Sequence, residues 1–416
     1  MAVKSSKKVE LLSPLKNIQS LNAILKFADA VYFGIEDLNM RAFSDNIALK
    51  NLNYIVKKCH DYNIKTYLTT NVIVYDNEFD LVNKILTSAQ EAEVDAIIVH
   101  DIGIIEAIKE RGLEFHISTQ ANISNLGTAR FYERIGAERL ILARELSLNQ
   151  IKYIKQKLSR AQIETFIHGA QCTSISGRCY FSAEFQSSQH FSANRGRCTQ
   201  PCRRKWKLTD ESNNEVLYDG TFFINTKDLC MIEYIPNLIE AQIDAFKIEG
   251  RMRDPIYIEE TTACYREAID SYYNGDFNEE KVKNWLKRLK KVYNRGFSTG
   301  FYFNVPTEKE ISRDQSGNVS NYKKKEIGKV INYFPKNKAA KILLYDGSLK
   351  LGEEIFIIGA HTSTYLRQKI SSIQIKRKKN YVETPKANKN NKIAVGIIVD
   401  KPVKKNDRVY KLIKRK

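Results

Sequence analysis

Short apolar runs alternate with amphipathic stretches through the first 252 residues of the chain. The runs end in glycine or polar residues, and the stretches between them carry apolar residues at helical spacing. This alternation predicts eight strands, at residues 9–15, 30–34, 64–71, 95–101, 114–125, 138–146, 163–169 and 244–252. Because several runs are apolar throughout, as in parallel strands buried on both faces, the pattern indicates an α/β fold with a (β/α)8 TIM-like barrel. A doubly wound sheet is the alternative, but no glycine-rich dinucleotide fingerprint follows the first strand.

From residue 323 the pattern changes to short β-like runs separated by turn signals. Six candidate strands predict a small β-barrel, and they lie at residues 327–334, 339–345, 353–359, 369–375, 392–399 and 407–413. We therefore expect three parts: a TIM-like barrel at 1–275, a helical and loop connection at 276–322, and a C-terminal β-barrel at 323–416.

The connection between the seventh and eighth predicted strands is abnormally long. It runs from residue 170 to residue 243, where one helix and a few loop residues would suffice. Its first part, residues 170–235, forms a cysteine-rich insertion, in which Cys172 lies three residues past the strand end at residue 169. Since catalytic groups of such barrels lie at the carboxyl ends of the strands, we expect the insertion to cover the mouth of the barrel.

Four of the seven cysteines fall in this insertion: Cys172, Cys179, Cys198 and Cys202. No secretory signal precedes the first strand, and the cysteine count is odd, so we expect a cytoplasmic, reducing setting in which clustered thiols serve metal or redox chemistry. The irregular spacing favours an iron–sulfur cluster. Zinc is an alternative, because the last two cysteines approach the spacing of a zinc-binding pair.

Two further cysteine hypotheses remain open. Cys172 could act as a nucleophile with His168, four residues before it, as the base. Cys230 is a reserve candidate for the fourth metal ligand.

Polar residues cluster where the predicted barrel strands end. Glu249 and Arg251 are the strongest candidates, because charged groups at a barrel mouth are costly unless they are used or paired. Asp101 and Asn17 could equally be helix caps. Such a ring suits a polar organic substrate or a nucleobase, and its predicted catalytic members are His168, Glu249, Arg251, Gln120 and Asn122. The other members are Ser13, Asn71, His100, Arg144 and Glu145.

Charge is distributed unevenly along the 416 residues. Residues 321–416 contain 25 lysines and arginines and 7 acidic residues, a net charge of +18, whereas residues 1–320 have a net charge of +1. This asymmetry predicts that the C-terminal domain binds a polyanion, most simply RNA. Improved solubility or a lysine-rich proteome is the alternative explanation. No run of eighteen apolar residues is present, so we expect no membrane span.

The segment ETFIHGAQCTSISGRCYFS at residues 164–182 resembles the signature of the collagenase-like peptidase family, peptidase family U32. The resemblance extends through LLSPLKN, DAVYFG, HISTQANISN, NRGRCTQPCRR, TKDLC, FKIEGRMR and NRGFSTGFYF, and so covers most of residues 9–304. The resemblance implies an iron–sulfur protein that takes part in hydroxylation without molecular oxygen. Characterised branches of the family hydroxylate a tRNA wobble uridine, a ribosomal-RNA cytidine or a quinone ring.

The resemblance also implies the site. The ligands of the family's 4Fe-4S cluster match Cys172, Cys179, Cys198 and Cys202, although some branches replace the last with a later cysteine, here Cys230. Prephenate is implied as a small-molecule co-substrate, and Arg251 could hold a dicarboxylate of that kind. The tRNA branch resembles this chain further in having a C-terminal β-barrel.

Three functions follow from these patterns. The first is hydroxylation of tRNA or another RNA, most directly of the wobble uridine to 5-hydroxyuridine, with an electron donor that the sequence does not identify. The second is a peptidase, although the sequence contains neither the HExxH zinc motif nor a GxSxG nucleophile elbow. The third is a non-catalytic RNA-binding protein with a structural metal.

Overall fold

The computed structural model describes residues 8–175, 178–207, 209–215, 224–313, 317–375 and 381–415. The chain divides into two compact units, one of residues 1–17 and 24–319 and the other of residues 18–23 and 320–416. Among the described residues, no helix combines the length and the apolar character that crossing a membrane requires.

The first unit is a closed barrel of eight parallel strands. Each strand pairs with the next in sequence, and the last pairs with both the first and the seventh. The predicted α/β fold with a TIM-like barrel is therefore confirmed. The barrel strands are β1 (Glu10–Pro14), β2 (Ala30–Phe33), β3 (Lys65–Thr70), β4 (Ala96–Val99), β5 (Phe115–Ile117), β6 (Arg139–Ile141), β7 (Gln162–Gly169) and, after the short extra strand β8 (Asp228–Cys230), β9 (Ala245–Ile248).

Amphipathic helices follow most of the barrel strands. In one of them, apolar residues at helical spacing, Val82, Ile85, Leu86 and Ala89, are all buried, which is the pattern of a helix with one face on a sheet. The helices are α1 (Ile18–Ile24), α2 (Leu52–His60), α3 (Phe79–Glu91), α4 (Ile102–Glu110), α5 (Leu126–Arg134), α6 (Leu148–Lys157), α7 (Phe181–Phe185), α8 (Ile235–Glu240), α9 (Pro255–Tyr273) and α10 (Glu279–Leu289).

A buried ion network lies inside the barrel. The Glu164 carboxylate accepts a hydrogen bond of 2.8 Å from Lys247 Nζ and one of 3.3 Å from Arg139 Nη1. Arg139 Nη1 also donates to Glu10 Oε1 at 2.6 Å. Because each of these buried charges has a partner, the cost of desolvating them is offset.

The cysteine-rich insertion packs onto the mouth of the barrel. Its last part forms β8, which runs antiparallel to the end of β7 and carries the two-residue strand β10 (Phe297–Ser298) on its other edge. Gly196 has φ 74°, and a Cβ atom there would lie 2.0 Å from the Asn39 carbonyl oxygen. Only glycine allows the insertion to approach the β2–α2 loop this closely.

The second unit is a six-stranded antiparallel sheet in the order β14–β13–β16–β11–β12–β15. It encloses its own apolar core, which includes Ile342, Ile355, Ile357 and Val395. The strands are β11 (Tyr322–Phe334), β12 (Ala339–Leu344), β13 (Glu354–Ile358), β14 (Tyr365–Lys369), β15 (Ile393–Ile398) and β16 (Arg408–Lys414).

One predicted strand of the C-terminal domain is misplaced. The strand predicted at 369–375 lies at Tyr365–Lys369 instead, because the Gly359 N–H bonds the Thr364 carbonyl at 2.9 Å and so starts the pairing with β13 early. The sheet is a half-barrel, since no strand ladder among the described residues joins β14 to β15. The side chain of Gln368 bridges these edges, with Nε2 donating to the Ile398 carbonyl at 2.9 Å and Oε1 accepting from Asp400 N–H at 2.9 Å.

Candidate active site

A narrow polar pocket opens at the carboxyl ends of the barrel strands. Its volume is about 50 Å³, which leaves room for only a few water molecules. It is lined by Tyr32, Met40, Arg41, Thr69, Asn71, Ser118, Thr119, Gln120, Ile141, Arg144, Phe166, Lys247, Glu249 and Arg251.

Arg251 lies at the bottom of this pocket with only 3% of its surface exposed. Its guanidinium donates to three neutral acceptors: Asn39 Oδ1 at 2.8 Å, Asn46 Oδ1 at 2.5 Å and Thr69 Oγ1 at 3.2 Å. Its Nε has no partner among the described atoms. Burial lowers the pKa of Arg251 to about 10, so the side chain is charged at neutral pH and its bound partners do not neutralise it.

Glu249 and Arg41 form an ion pair beside Arg251. The Arg41 Nη2 and Nε atoms donate to Glu249 Oε1 at 2.8 and 3.2 Å. Burial works to raise the pKa of Glu249, but the guanidinium groups of Arg41, Arg253 and Arg144 together outweigh it and hold that pKa below the ordinary value. Glu249 is therefore an ionised hydrogen-bond acceptor, already engaged by Arg41.

The predicted amide residues separate into two groups. Asn71 Nδ2 donates to Ser118 Oγ at 3.0 Å and to Gln120 Oε1 at 3.3 Å, so both amides are oriented in the pocket wall. Asn122 instead ends a short 3-10 helix at φ 50° and lines neither this pocket nor the cysteine cavity described below. Asp101 accepts from the Ile104 N–H at 3.2 Å, which places it as a helix cap.

His168 is buried away from the pocket. Its Nδ1 lies 3.2 Å from the Tyr265 hydroxyl, and its ring packs against Tyr257, Tyr265 and Phe297. Burial lowers the pKa of His168 to about 3. Although it was predicted to be catalytic, this placement gives His168 no contact with either cavity and does not bring it to Cys172.

A second cavity, of about 280 Å³, lies beneath the insertion. All four clustered cysteines line it, together with Arg41, Arg203 and Arg295. Cys172 is exposed, and the other three thiols are half-buried. Burial raises the pKa of Cys198 and Cys202, and repulsion from neighbouring thiolates raises both further.

Cys230 does not line this cavity. It is buried in β8, where its sulfur accepts a contact of 3.7 Å from the Tyr265 hydroxyl. Burial raises the pKa of the Cys230 thiol to about 11. The geometry thus brings Cys202, and not Cys230, to the other three cysteines.

The four thiols are a donor set that an iron–sulfur cluster or a zinc ion could use. Zinc requires its donors about 2.3 Å from one point, whereas an iron–sulfur cluster is itself several atoms wide and spaces its thiolates further apart. Four thiols around one cavity are the donor set that such a cluster uses.

Arg41 is the functional residue that the sequence patterns missed. It lines both cavities, as does its neighbour Met40. The thiol of Cys172 and the carboxylate of Glu249 both raise the pKa of Arg41 against the effect of burial. The available signal was the long connection between β2 and α2, residues 34–51, at the end of the barrel where active-site loops lie.

Known proteins resemble the chain over most of its length. The profile of Peptidase family U32 matches residues 16–312. An uncharacterized protease of Methanocaldococcus jannaschii is 43% identical, with 97% of this chain and 98% of the relative covered. A collagenase of Porphyromonas gingivalis is 37% identical, with 98% of each chain covered. A Bacillus subtilis protein named tRNA hydroxylation protein P1 is 34% identical, with 86% of each chain covered.

Proposed function

We propose that this chain, which belongs to Peptidase family U32, is an RNA-modifying hydroxylase. The membership agrees with the resemblance carried by its sequence motifs. The proposed reaction is the iron–sulfur-dependent, oxygen-independent hydroxylation of a base in tRNA, in particular of the wobble uridine to 5-hydroxyuridine.

One observation carries this proposal. The cavity with four thiols and the pocket with the uncompensated Arg251 share a wall formed by Met40 and Arg41. A redox group bound by Cys172, Cys179, Cys198 and Cys202 would therefore lie beside a small-molecule pocket. A peptidase has no need of this arrangement, whereas a hydroxylation without oxygen needs both an electron carrier and a donor of the hydroxyl group.

The pocket residues would bind and orient one carboxylate group of a co-substrate, for which prephenate is our candidate. Arg251 has an unpartnered Nε, and so does Arg144, whose guanidinium lies 4.0 Å from the Phe166 ring centroid. Two cations without a bound carboxylate favour an anionic ligand. Asn71 and Gln120 would hydrogen-bond its polar groups, and Glu249 holds Arg41 in place. The 4Fe-4S cluster would supply electron transfer.

The choice of RNA as the substrate rests on charge and on a relative. The net charge of +18 in residues 321–416 suits a polyanion. A relative named tRNA hydroxylation protein P1 matches across 86% of this chain. Unpaired anticodon bases are open to attack on the ring, as a hydroxylation of uridine requires.

The test is mass spectrometry of tRNA nucleosides from a strain that lacks the gene. We expect 5-hydroxyuridine and its derivatives to disappear and to return with the wild-type chain but not with Cys172→Ser. A strain with unchanged levels of these nucleosides would contradict the proposal.

The peptidase reading has its own support, because the relatives at 43% and 37% identity are named a protease and a collagenase. It would require Cys172 with a base nearby, and His168 instead contacts Tyr265. Anaerobically purified Cys172→Ser separates the two readings. Loss of iron from this variant supports the cluster, whereas retention of iron with loss of collagen cleavage supports the peptidase.

A further inference from the structure

The first half of the insertion concentrates positive charge around the cysteine cavity. Residues 170–207 contain seven lysines and arginines and one acidic residue. Three of the basic side chains, Arg178, Arg204 and Lys205, are exposed, and none of the three forms an ion pair with a carboxylate of the described residues. The barrel unit therefore has a basic surface of its own, in addition to the basic C-terminal unit.

An exposed aromatic group lies on one side of the cavity. Phe43, which lines the cavity, is 42% exposed. Its ring centroid is 5.8 Å from His190 and 5.9 Å from Phe191, and those two rings are 5.1 Å apart. Arg197 Nη1 lies 3.0 Å from His190 Nδ1 at the edge of this group. We call Phe43, His190 and Phe191 the Phe43 cluster.

A second aromatic group adjoins the same cavity. Phe181 lines the cavity, and the Trp206 ring is 5.3 Å from both Phe181 and Phe185. The Arg204 guanidinium lies 4.8 Å from the Phe185 ring centroid. We call Phe181, Phe185 and Trp206 the Trp206 cluster. Two aromatic clusters, each with an arginine beside it, thus adjoin the cysteine cavity, and we call them together with these arginines its rim.

The relative sizes of the two cavities decide where a base could go. The barrel pocket, at about 50 Å³, holds a carboxylate-sized group and not a nucleobase. The cysteine cavity, at about 280 Å³, is the larger of the two. A base that reacts next to the barrel pocket must therefore approach through the rim of the cysteine cavity.

We propose that this rim is the docking surface for single-stranded RNA, with the target base stacked on Phe43 and the phosphates bound by Arg178, Arg204 and Lys205. Base stacking on aromatic side chains within a basic groove is how proteins hold unpaired nucleotides, and arginine adds cation–π contacts to such surfaces. The proposal rests on the proposed function only in taking RNA as the substrate. It assigns the positioning of the reactive nucleotide to the barrel unit.

An acidic electron-carrier protein is the competing occupant, because it would also match the positive charge. The presence of exposed rings, Phe43 and Phe185, beside guanidinium groups favours RNA, since an exposed ring can stack on a base. The docking of a carrier would need positive charge but would not need Phe43 in particular.

Fluorescence anisotropy with a labelled RNA stem-loop, whose loop is unpaired uridines, tests the docking surface on the anaerobically purified full chain. We expect Phe43→Ala to weaken binding about tenfold or more, because one stacked base is lost, and Phe43→Trp to restore it. The matched control is Tyr54→Ala, which removes a 56% exposed ring from α2. Arg204→Gln combined with Lys205→Gln should reduce the salt dependence of binding, by about 0.7 in the logarithmic slope per lost phosphate contact.

Wild-type RNA affinity in Phe43→Ala would overturn the docking surface. The docking surface would also be overturned if Phe43→Ala or the Arg204→Gln, Lys205→Gln variant bound RNA normally but its cluster was reduced more slowly by photoreduced flavodoxin. That result would assign the rim to an electron carrier. Binding is measured without turnover, so an RNA that binds through Phe43 but is never hydroxylated would refute the proposed function and leave the docking surface intact.

Discussion

At the scale of single residues, the site is defined by charges that the protein does not neutralise. Arg251 is buried, and its three hydrogen-bond acceptors are amide and hydroxyl oxygens. Desolvating a guanidinium without a carboxylate partner is costly. An anionic ligand that binds Arg251 during the reaction would offset this desolvation cost by supplying the missing negative charge.

Replacing Arg251 with lysine tests this idea. The ammonium group keeps the charge but loses the planar fork that binds a carboxylate through two hydrogen bonds. We expect the prephenate concentration needed for half-maximal 5-hydroxyuridine formation to rise by roughly 10- to 100-fold, the value of one or two charged hydrogen bonds. Arg160→Lys, at an exposed arginine that bonds the Glu133 carbonyl, is the control. An unchanged prephenate dependence in Arg251→Lys would argue against a carboxylate at this position.

His168 predicts how stability depends on pH. Burial lowers its pKa from 6.5 to about 3, so the unfolded chain binds a proton more readily than the folded chain between these values. The stabilising contribution is complete above pH 6.5 and is lost as the pH falls toward 3. When the pH falls from 7 to 5, we expect the unfolding free energy of the wild type to decrease by about 2 kcal/mol more than that of His168→Gln. Urea unfolding at both values measures this, and parallel losses in both proteins would contradict it.

The residues that sequence patterns could identify are those attached to regular elements. Glu249 and Arg251 follow a fully buried strand directly, so their place at the barrel mouth could be predicted from the pattern alone. Arg41 lies in a long loop, and nothing local determines that its guanidinium reaches both Glu249 and the cysteine cavity. His168 also follows the strand pattern, but its partner Tyr265 comes from α9, which no local pattern connects to it.

At the scale of elements, the cysteine-rich insertion is held to the barrel at both ends. It leaves β7 and returns through β8, which pairs with the end of the same β7. This return places Cys230 inside the sheet and leaves Cys172, Cys179, Cys198 and Cys202 on the cavity. The spacing of the cysteines left both Cys202 and Cys230 open as ligands, because spacing alone does not reveal that TKDLC forms a strand.

This difference between the two cysteines gives a paired experiment. We expect Cys202→Ser, purified anaerobically, to lose most of its iron and its visible absorbance, because a cluster ligand is removed. Cys230→Ser should retain both, with only a loss of thermal stability from the polar group placed in a buried site. Iron analysis and absorbance spectra of the two variants measure this. The reverse pattern would make Cys230 the fourth ligand.

The C-terminal strands show the limit of periodicity at this scale. Apolar residues recur at irregular intervals from residue 365 to residue 375, so the pattern does not fix which of these residues form a strand. The turn at 359–364 determines which of these residues pair with β13. A hydrogen bond between Gly359 and Thr364 is a tertiary detail that periodicity does not contain.

At the scale of the whole molecule, charge and redox groups are assigned to different units. The barrel unit carries the thiols and the small pocket, and the half-barrel unit carries most of the net charge. The uneven distribution of charge could be read from the sequence alone, because it depends only on which residues are present. The half-barrel has a separate apolar core, so its surface can be altered without touching the barrel.

Neutralising exposed lysines of the half-barrel should weaken RNA binding in a salt-dependent way. Each lost phosphate contact lowers the logarithmic salt slope by about 0.7 to 0.9, so a triple variant should lower it by up to about 2. Titrations of tRNA at several salt concentrations measure the slope. The test set is Lys341→Gln, Lys369→Gln and Lys401→Gln, and the matched set on the barrel is Lys57→Gln, Lys84→Gln and Lys152→Gln. Equal salt slopes for the two triple variants would show that the half-barrel does not bind RNA preferentially.

The position of Arg41 makes the two cavities thermodynamically reciprocal. Its guanidinium donates to Glu249 in the barrel pocket at 2.8 Å, and its side chain also lines the cavity of the four thiols. An anion in the barrel pocket would attract Arg41 and so lower the affinity of the cysteine cavity for negative charge. Negative charge in the cysteine cavity would then lower the affinity of the pocket for the anion by the same factor. We therefore expect an anion bound in one cavity to change the affinity of the other cavity for negative charge through Arg41.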